Sequence, residues 1–138
     1  MKNILSRSKL VQALVASAGA VAAHTATVVD CTGFDRVCYV LNTGAAAAGA
    51  TMSFKITDAI LVNMAGAADI AGAALAGLVV ANDVNKIYAI DVPVNPARPF
   101  QVVAGAVGTG VFANSCTAML YKGSGTYPKV AATQAIIL

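Results

Sequence analysis

From Thr25 onward the chain is a succession of short apolar runs, each stopped by Gly, Asn, Asp or Pro. Punctuation this frequent leaves no room for long helices and predicts strands joined by turns. The clearest run is 51–57, where Met52, Phe54 and Ile56 alternate with Ser53 and Lys55. A period of two places one set on the core face and the other in solvent, the pattern of a half-buried antiparallel strand. Residues 86–92 alternate likewise, with Tyr88, Ile90 and Val92 opposite Ile87, Ala89 and Asp91. Residues 25–30 and 36–41 read as strands separated by Thr32-Gly33-Phe34-Asp35, and a hairpin is the expected result. Further strands are predicted over 100–107, 111–122 and 130–138, after a loop marked by Pro93, Pro96 and Pro99. About eight strands in one domain imply an antiparallel sandwich or barrel.

Two stretches read less directly. Residues 59–81 are rich in Ala and Gly, which suit loop, turn or tightly packed strand alike, so only 60–64 and 78–81 stand out as short strand candidates. Residues 1–24 are read as an N-terminal arm or short helix, because Leu10, Val11, Leu14, Val15 and Ala18 recur at helical spacing. The domain proper is then 25–138. Lys2, Arg7 and Lys9 ahead of an Ala-rich run imitate a secretory signal. The imitation is partial, since Gln12, Ser17 and Gly19 dilute the apolar stretch, and the same dilution argues against a membrane span.

The chain is poor in reactive groups. It has one His, no Trp, and six acidic residues, all Asp. Acid–base and nucleophilic catalysis draw mostly on His, Glu or paired carboxylates, so an enzyme is not expected. Charged residues make up 11% of the chain against a usual ~25%, while hydrophobic residues reach 58%. A surface with so few charges points to coverage by neighbouring chains and hence to an oligomer or assembly subunit. The net charge of +3 is spread over scattered lysines with no basic stripe, which argues against nucleic acid. Cys31, Cys38 and Cys116 lack metal-site spacing; Cys31 and Cys38 can meet across the expected hairpin, but free buried thiols in a reducing cytoplasm are favoured.

Candidate sites have plainer alternatives. The stretch 105–110 suggests a phosphate loop, yet no Gly-Lys-Ser/Thr follows, and a hairpin turn is favoured. Asp58, Asp69, Asp83 and Asp91 lack calcium-loop spacing and read as turn or edge residues, so no metal or other cofactor is expected. His24 has no relay partner nearby. Tyr88, Tyr121, Tyr127, Phe100 and Phe112 resemble a stacking platform but suit an Ala-rich core better. Arg98-Pro99-Phe100 differs in kind: Arg98 and Phe100, at the mouth of a strand after a proline-rich loop, are placed for a contact between subunits.

Val28-Val29-Asp30, Gly33-Phe34-Asp35, Val40-Leu41-Asn42-Thr43-Gly44, the tyrosine strand at Tyr88, Arg98-Pro99-Phe100 and Tyr127-Pro128 together resemble the tailed-phage auxiliary capsid proteins, the head decoration or cement proteins. The resemblance runs over roughly residues 25–128. It departs from the family at Met52-Ser53-Phe54-Lys55-Ile56-Thr57-Asp58, where members carry acidic residues followed by an Asp-rich turn. The resemblance implies a β-sandwich of jelly-roll type on the outside of an assembled virion head, bound to the major capsid protein and reinforcing the shell. Another minor head, tail or fibre-base subunit, or a secreted pilus- or adhesin-type β subunit, is the alternative the same composition allows. A homo-oligomer is expected, a trimer before a dimer, with no nucleic acid or membrane partner. The basic Lys2, Arg7 and Lys9, read first as a solvated tail, and the apolar Ile136, Ile137 and Leu138 are then candidate arms reaching neighbours.

Overall fold

The computed structural model describes residues 8–17, 26–122 and 134–137. Its elements are β1 (Ser8–Ser17), β2 (Val29–Asp30), β3 (Arg36–Ala46), β4 (Thr51–Ala59), β5 (Ala68–Val79), a helical turn α1 (Val80–Asp83), β6 (Ile87–Pro93), β7 (Phe100–Thr109), β8 (Phe112–Tyr121) and β9 (Gln134–Ile137). One sheet has the order β1-β8-β3-β6-β9 and the other β2-β7-β4-β5. The two enclose a single core, making an all-β sandwich. Tyr39, Leu41 and Leu120 from the first sheet meet Met52, Phe54 and Ile56 from the second.

The pairing has a simple logic. β1 lies against β8, β2 against β7, β3 against β6 and β4 against β5, all antiparallel. The chain is therefore doubled back on itself about the β4–β5 connection. Contacts of β3 with β8 and of β4 with β7 roll this doubled ribbon into two layers. Between β1 and β8, every connection except β4–β5 consequently changes sheet. β9 stands outside the scheme, pairing parallel with β6 from Tyr88↔Gln134 to Asp91↔Ile137.

Several sequence expectations change here. The segment 8–17 is a strand in the sandwich, not a helix or arm. Its register slips between Gln12 and Leu14. The bulge puts both Ala13 and Leu14 inside, so the inward positions Val11 and Leu14 are three residues apart, which imitates helical spacing. The expected hairpin between 25–30 and 36–41 does not form, because β2 and β3 belong to different sheets and the turn at Gly33 is a crossing between layers. The same holds for 105–110: Gly105 to Thr109 lie within β7, and Gly110 turns the chain toward β8 in the opposite sheet. That turn has a positive φ of 74°, and a Cβ on Gly110 would sit 3.3 Å from that of Ala50. Residues 60–64 form turns rather than a strand, while β5 and α1 occupy most of the stretch left open in the sequence.

The sandwich has two distinguishable ends. At one, Arg36 pairs with both Tyr121 and Pro93 in the first sheet, and in the second Cys31 N–H bonds Pro99 O at 2.9 Å, extending the β2–β7 pairing by one residue. At the other, Ala47 N–H bonds Val111 O at 2.9 Å, where β3 passes to β4 and β7 to β8.

Candidate interaction surface

The proline-rich loop between β6 and β7 folds on Asn95. Its side chain accepts the Ala97 N–H at 3.0 Å and its carbonyl accepts the Arg98 N–H at 2.9 Å. This turn aims Arg98 at the end of β4. There Nε donates to Asp58 Oδ1 at 2.5 Å, and Nη2 donates to the carbonyls of Asp58 at 2.7 Å and Gly66 at 2.9 Å. One planar group thus holds both stems of the β4–β5 connection, a task suited to the guanidinium fork.

The loop so held is itself ordered by turns. Met64 N–H bonds Leu61 O at 2.9 Å, Ala67 N–H bonds Met64 O at 3.1 Å, and Ala65 N–H bonds Asn63 Oδ1 at 3.0 Å. Met64 adopts φ 59°, unusual for a residue other than glycine. What this scaffold presents to solvent is apolar: Ile60 is 60% exposed, Leu61 54% and Val62 63%. Three adjacent aliphatic side chains fixed in water are a surface awaiting cover. Completing the burial of each, already partly covered, would contribute about 1–2 kcal/mol.

The residues picked out in the sequence are distributed unevenly around this loop. Arg98 lies beneath it, committed to intrachain bonds. Phe100, half-buried, opens β7 opposite Ala59, next to the same stem. Lys9 is exposed on β1 at the same end of the sandwich, paired with Leu120, and its charge reaches Asp30, whose carboxyl is held below the usual range chiefly by hydrogen bonds from Thr32. Ile136 and Ile137 belong to β9, at the far edge of the first sheet, alongside Ile90 and Asp91. Lys2, Arg7, His24, Tyr127 and Leu138 lie outside the described residues. The Ile60–Leu61–Val62 tip falls within 60–64, where the sequence pattern predicts a short strand and the structure has turns. A useful signal lay in the Asn-Met-Ala-Gly that follows it, a turn sequence directly after three aliphatics.

The titratable groups are bound up structurally. Asp69 pairs with Lys55 at 2.9 Å, and Asp83 accepts the Tyr88 hydroxyl. Buried Asp91 accepts the Tyr121 hydroxyl at 2.8 and 2.9 Å and faces Arg36 at 3.4 Å. These carboxylates do not converge, and the described residues hold no metal-binding cluster. Burial, assisted by Asp83, raises the Tyr88 hydroxyl to about 12. Cys31, Cys38 and Cys116 are buried free thiols. Burial lifts Cys31 to about 12 and Cys38 to about 11, with smaller contributions from Asp30 and Asp91. It raises Cys116 as well. Protonated buried thiols are poor nucleophiles. Phe112 and Tyr88 are core residues and Tyr121 serves Asp91, so these aromatics form no stacking platform. Comparison with protein families, with characterised proteins and with solved structures finds no match for this chain.

Proposed function

We propose that the protein is a structural virion subunit, a decoration or cement protein that binds the outside of an assembled phage head and stabilises its lattice. The observation that carries this reading is the braced loop. A fold that commits a partly buried arginine–aspartate pair to holding three aliphatic side chains in solvent is organised for assembly with other protein. The strand orders support a jelly roll, the architecture of two packed sheets that recurs in capsid domains. Low charge and the lack of a catalytic constellation among the described residues suit a role in which surfaces do the work.

In this role the protein is made in the host cytoplasm, where its thiols stay reduced, and is then recruited to the capsid surface by the major capsid protein. A ligand that binds only the assembled lattice stabilises it by mass action, and many weak copies sum through multivalency. The test is co-sedimentation with empty heads and, separately, with unassembled major capsid subunits. Binding to heads alone is the expected result. Equal binding to free subunits, or binding to neither, overturns the cement role.

A further inference from the structure

Inside the sandwich the Tyr39 hydroxyl donates to Gln101 Oε1 at 3.0 Å, and both residues are fully buried. The other end of that amide is left over: Gln101 Nε2 meets no acceptor among the described residues. Exchanging the amide's oxygen and nitrogen does not help, because Nε2 would then bond the tyrosine and Oε1 would be the orphan. A buried amide with an unpaired end is costly, and such groups are ordinarily satisfied by a neighbouring side chain or an ordered water. The register names the neighbour. Gln101 on β7 stands directly opposite Asp58 on β4. Two positions along, Val103 stands opposite Ile56, and both of these belong to the core. Alternation therefore puts Gln101 and Asp58 on the same inward side. Asp58 is the carboxylate that Arg98 grips beneath the braced loop. Nε reaches Oδ1 and Nη2 reaches the main-chain carbonyl, while no described residue donates to Oδ2.

We infer that Gln101 and Asp58 together bind one buried water molecule, which accepts from Gln101 Nε2 and donates to the Asp58 carboxylate. The two groups select this ligand by their opposite character. A cation would face the N–H donors of the amide, and an anion would face the charge of the carboxylate. Water accepts from the one and donates to the other, and a bridge of this kind is nearly as favourable as a direct bond. The Asp58 side chain is 15% exposed, so the site lies just under the rim of the sandwich, where Arg98 closes it. The consequence reaches beyond the core. Tyr39, Gln101, the water, Asp58 and Arg98 form one hydrogen-bonded chain, running from β3 in the first sheet to the Gly66 carbonyl in the loop. The loop that presents Ile60, Leu61 and Val62 is thereby anchored in the core as well as at its stems. Gln101 is a positioning residue that acts on the loop through Asp58. The inference concerns how the tip is held and is independent of what docks on it.

The experiment uses the full-length protein, isotope-labelled for NMR. Water-selective Overhauser spectra are expected to show cross-peaks between the Gln101 side-chain amide and a water that stays bound for longer than the protein takes to tumble. A high-resolution crystal structure is expected to place that water about 2.7–3.2 Å from both Nε2 and the Asp58 carboxylate. Two variants then separate the bridge from general packing. Gln101→Met keeps the length of the side chain and removes the amide. It is expected to accelerate hydrogen exchange at the Met64 and Ala67 amides, which hold the loop turns, by about threefold or more. Tyr39→Phe removes the other bond of the amide and leaves the bridge, so exchange at the same amides is expected to stay within about twofold of wild type. Circular dichroism verifies that each variant has folded, and if either has not, the wild-type spectra and crystal decide. Gln101 amide protons without a long-lived water, or a direct hydrogen bond between Gln101 and Asp58 in the crystal, overturns the inference. So does folded Gln101→Met with wild-type exchange at Met64 and Ala67, or equal acceleration in both variants.

Discussion

At the scale of single residues, Arg98 shows how a side chain that looks like an exposed contact can act one step behind the contact. Its side chain is 24% exposed and that of Asp58 15%, so their attraction is partly screened and worth less than a fully buried pair. Its effect is better measured in the order of the loop than in global stability. Arg98→Ala is expected to accelerate hydrogen exchange at the Met64 and Ala67 amides by at least about tenfold, while lowering the urea midpoint modestly, since net hydrogen-bond contributions are ~1 kcal/mol each. Arg98→Lys retains the charge but not the fork that reaches two carbonyls and a carboxylate together, so it should recover only part of the protection. Unchanged exchange in Arg98→Ala would mean that the turns alone hold the tip.

Among the elements, β4, β6, β7 and β8 were legible nearly to their ends, because Phe54, Ile90 and Leu120 alternate with polar or small neighbours and period two survives in the sequence. β1 was not, since its bulge converts the spacing of Val11 and Leu14 into a helical one. β5 was hidden for a different reason: Ala and Gly on both faces give no contrast between inside and outside, and its glycines adopt φ 78° and 71° near further register slips. Turn sequences announced where strands end but not which sheet comes next, so crossings at Gly33 and Gly110 looked like hairpins. Of the candidate site, Arg98 and Phe100 were visible; the exposed tip was not, because it is shaped by local turns and by an arginine more than thirty residues later. The C-terminal element carries its own prediction. The strands β1 to β8 form two four-stranded layers without β9, which adds to an edge in the less stable parallel sense. Deleting residues 132–138 is expected to leave a folded sandwich with a somewhat lower melting temperature by circular dichroism. A truncated chain that fails to fold would place β9 in the core.

For the molecule as a whole, the closed sandwich makes stability depend on alkaline pH in a direction that can be worked out. Cys31 and Cys38 ionise at about 12 and about 11 when folded, against 9.0 for an unperturbed thiol. Tyr88 ionises at about 12 against 10.0, and burial raises Tyr39 well above its ordinary value. Below about pH 8 these groups are protonated in both states and contribute almost no slope. As pH rises past 9 the unfolded chain releases thiol protons that the folded chain still retains, so the unfolded state binds fewer protons and stability falls. Tyrosine deprotonation in the unfolded chain steepens the decline above pH 10, and the slope fades only as the folded groups themselves titrate. Urea midpoints at 25 °C are therefore expected to be level with respect to these groups from about pH 6.5 to 7.5, to begin falling above about pH 8, and to drop steadily from 9 to 11. Cys31→Ala, which removes one buried thiol, should flatten the first part of that drop even though the substitution lowers the midpoint at every pH through lost packing. A disulfide reagent at pH 8 supplies the independent check: thiol release should follow unfolding rather than precede it. Equal midpoints at pH 8 and 10.5, or rapid labelling of the folded protein, would mean that the thiols are open to water and that the two sheets do not seal the core.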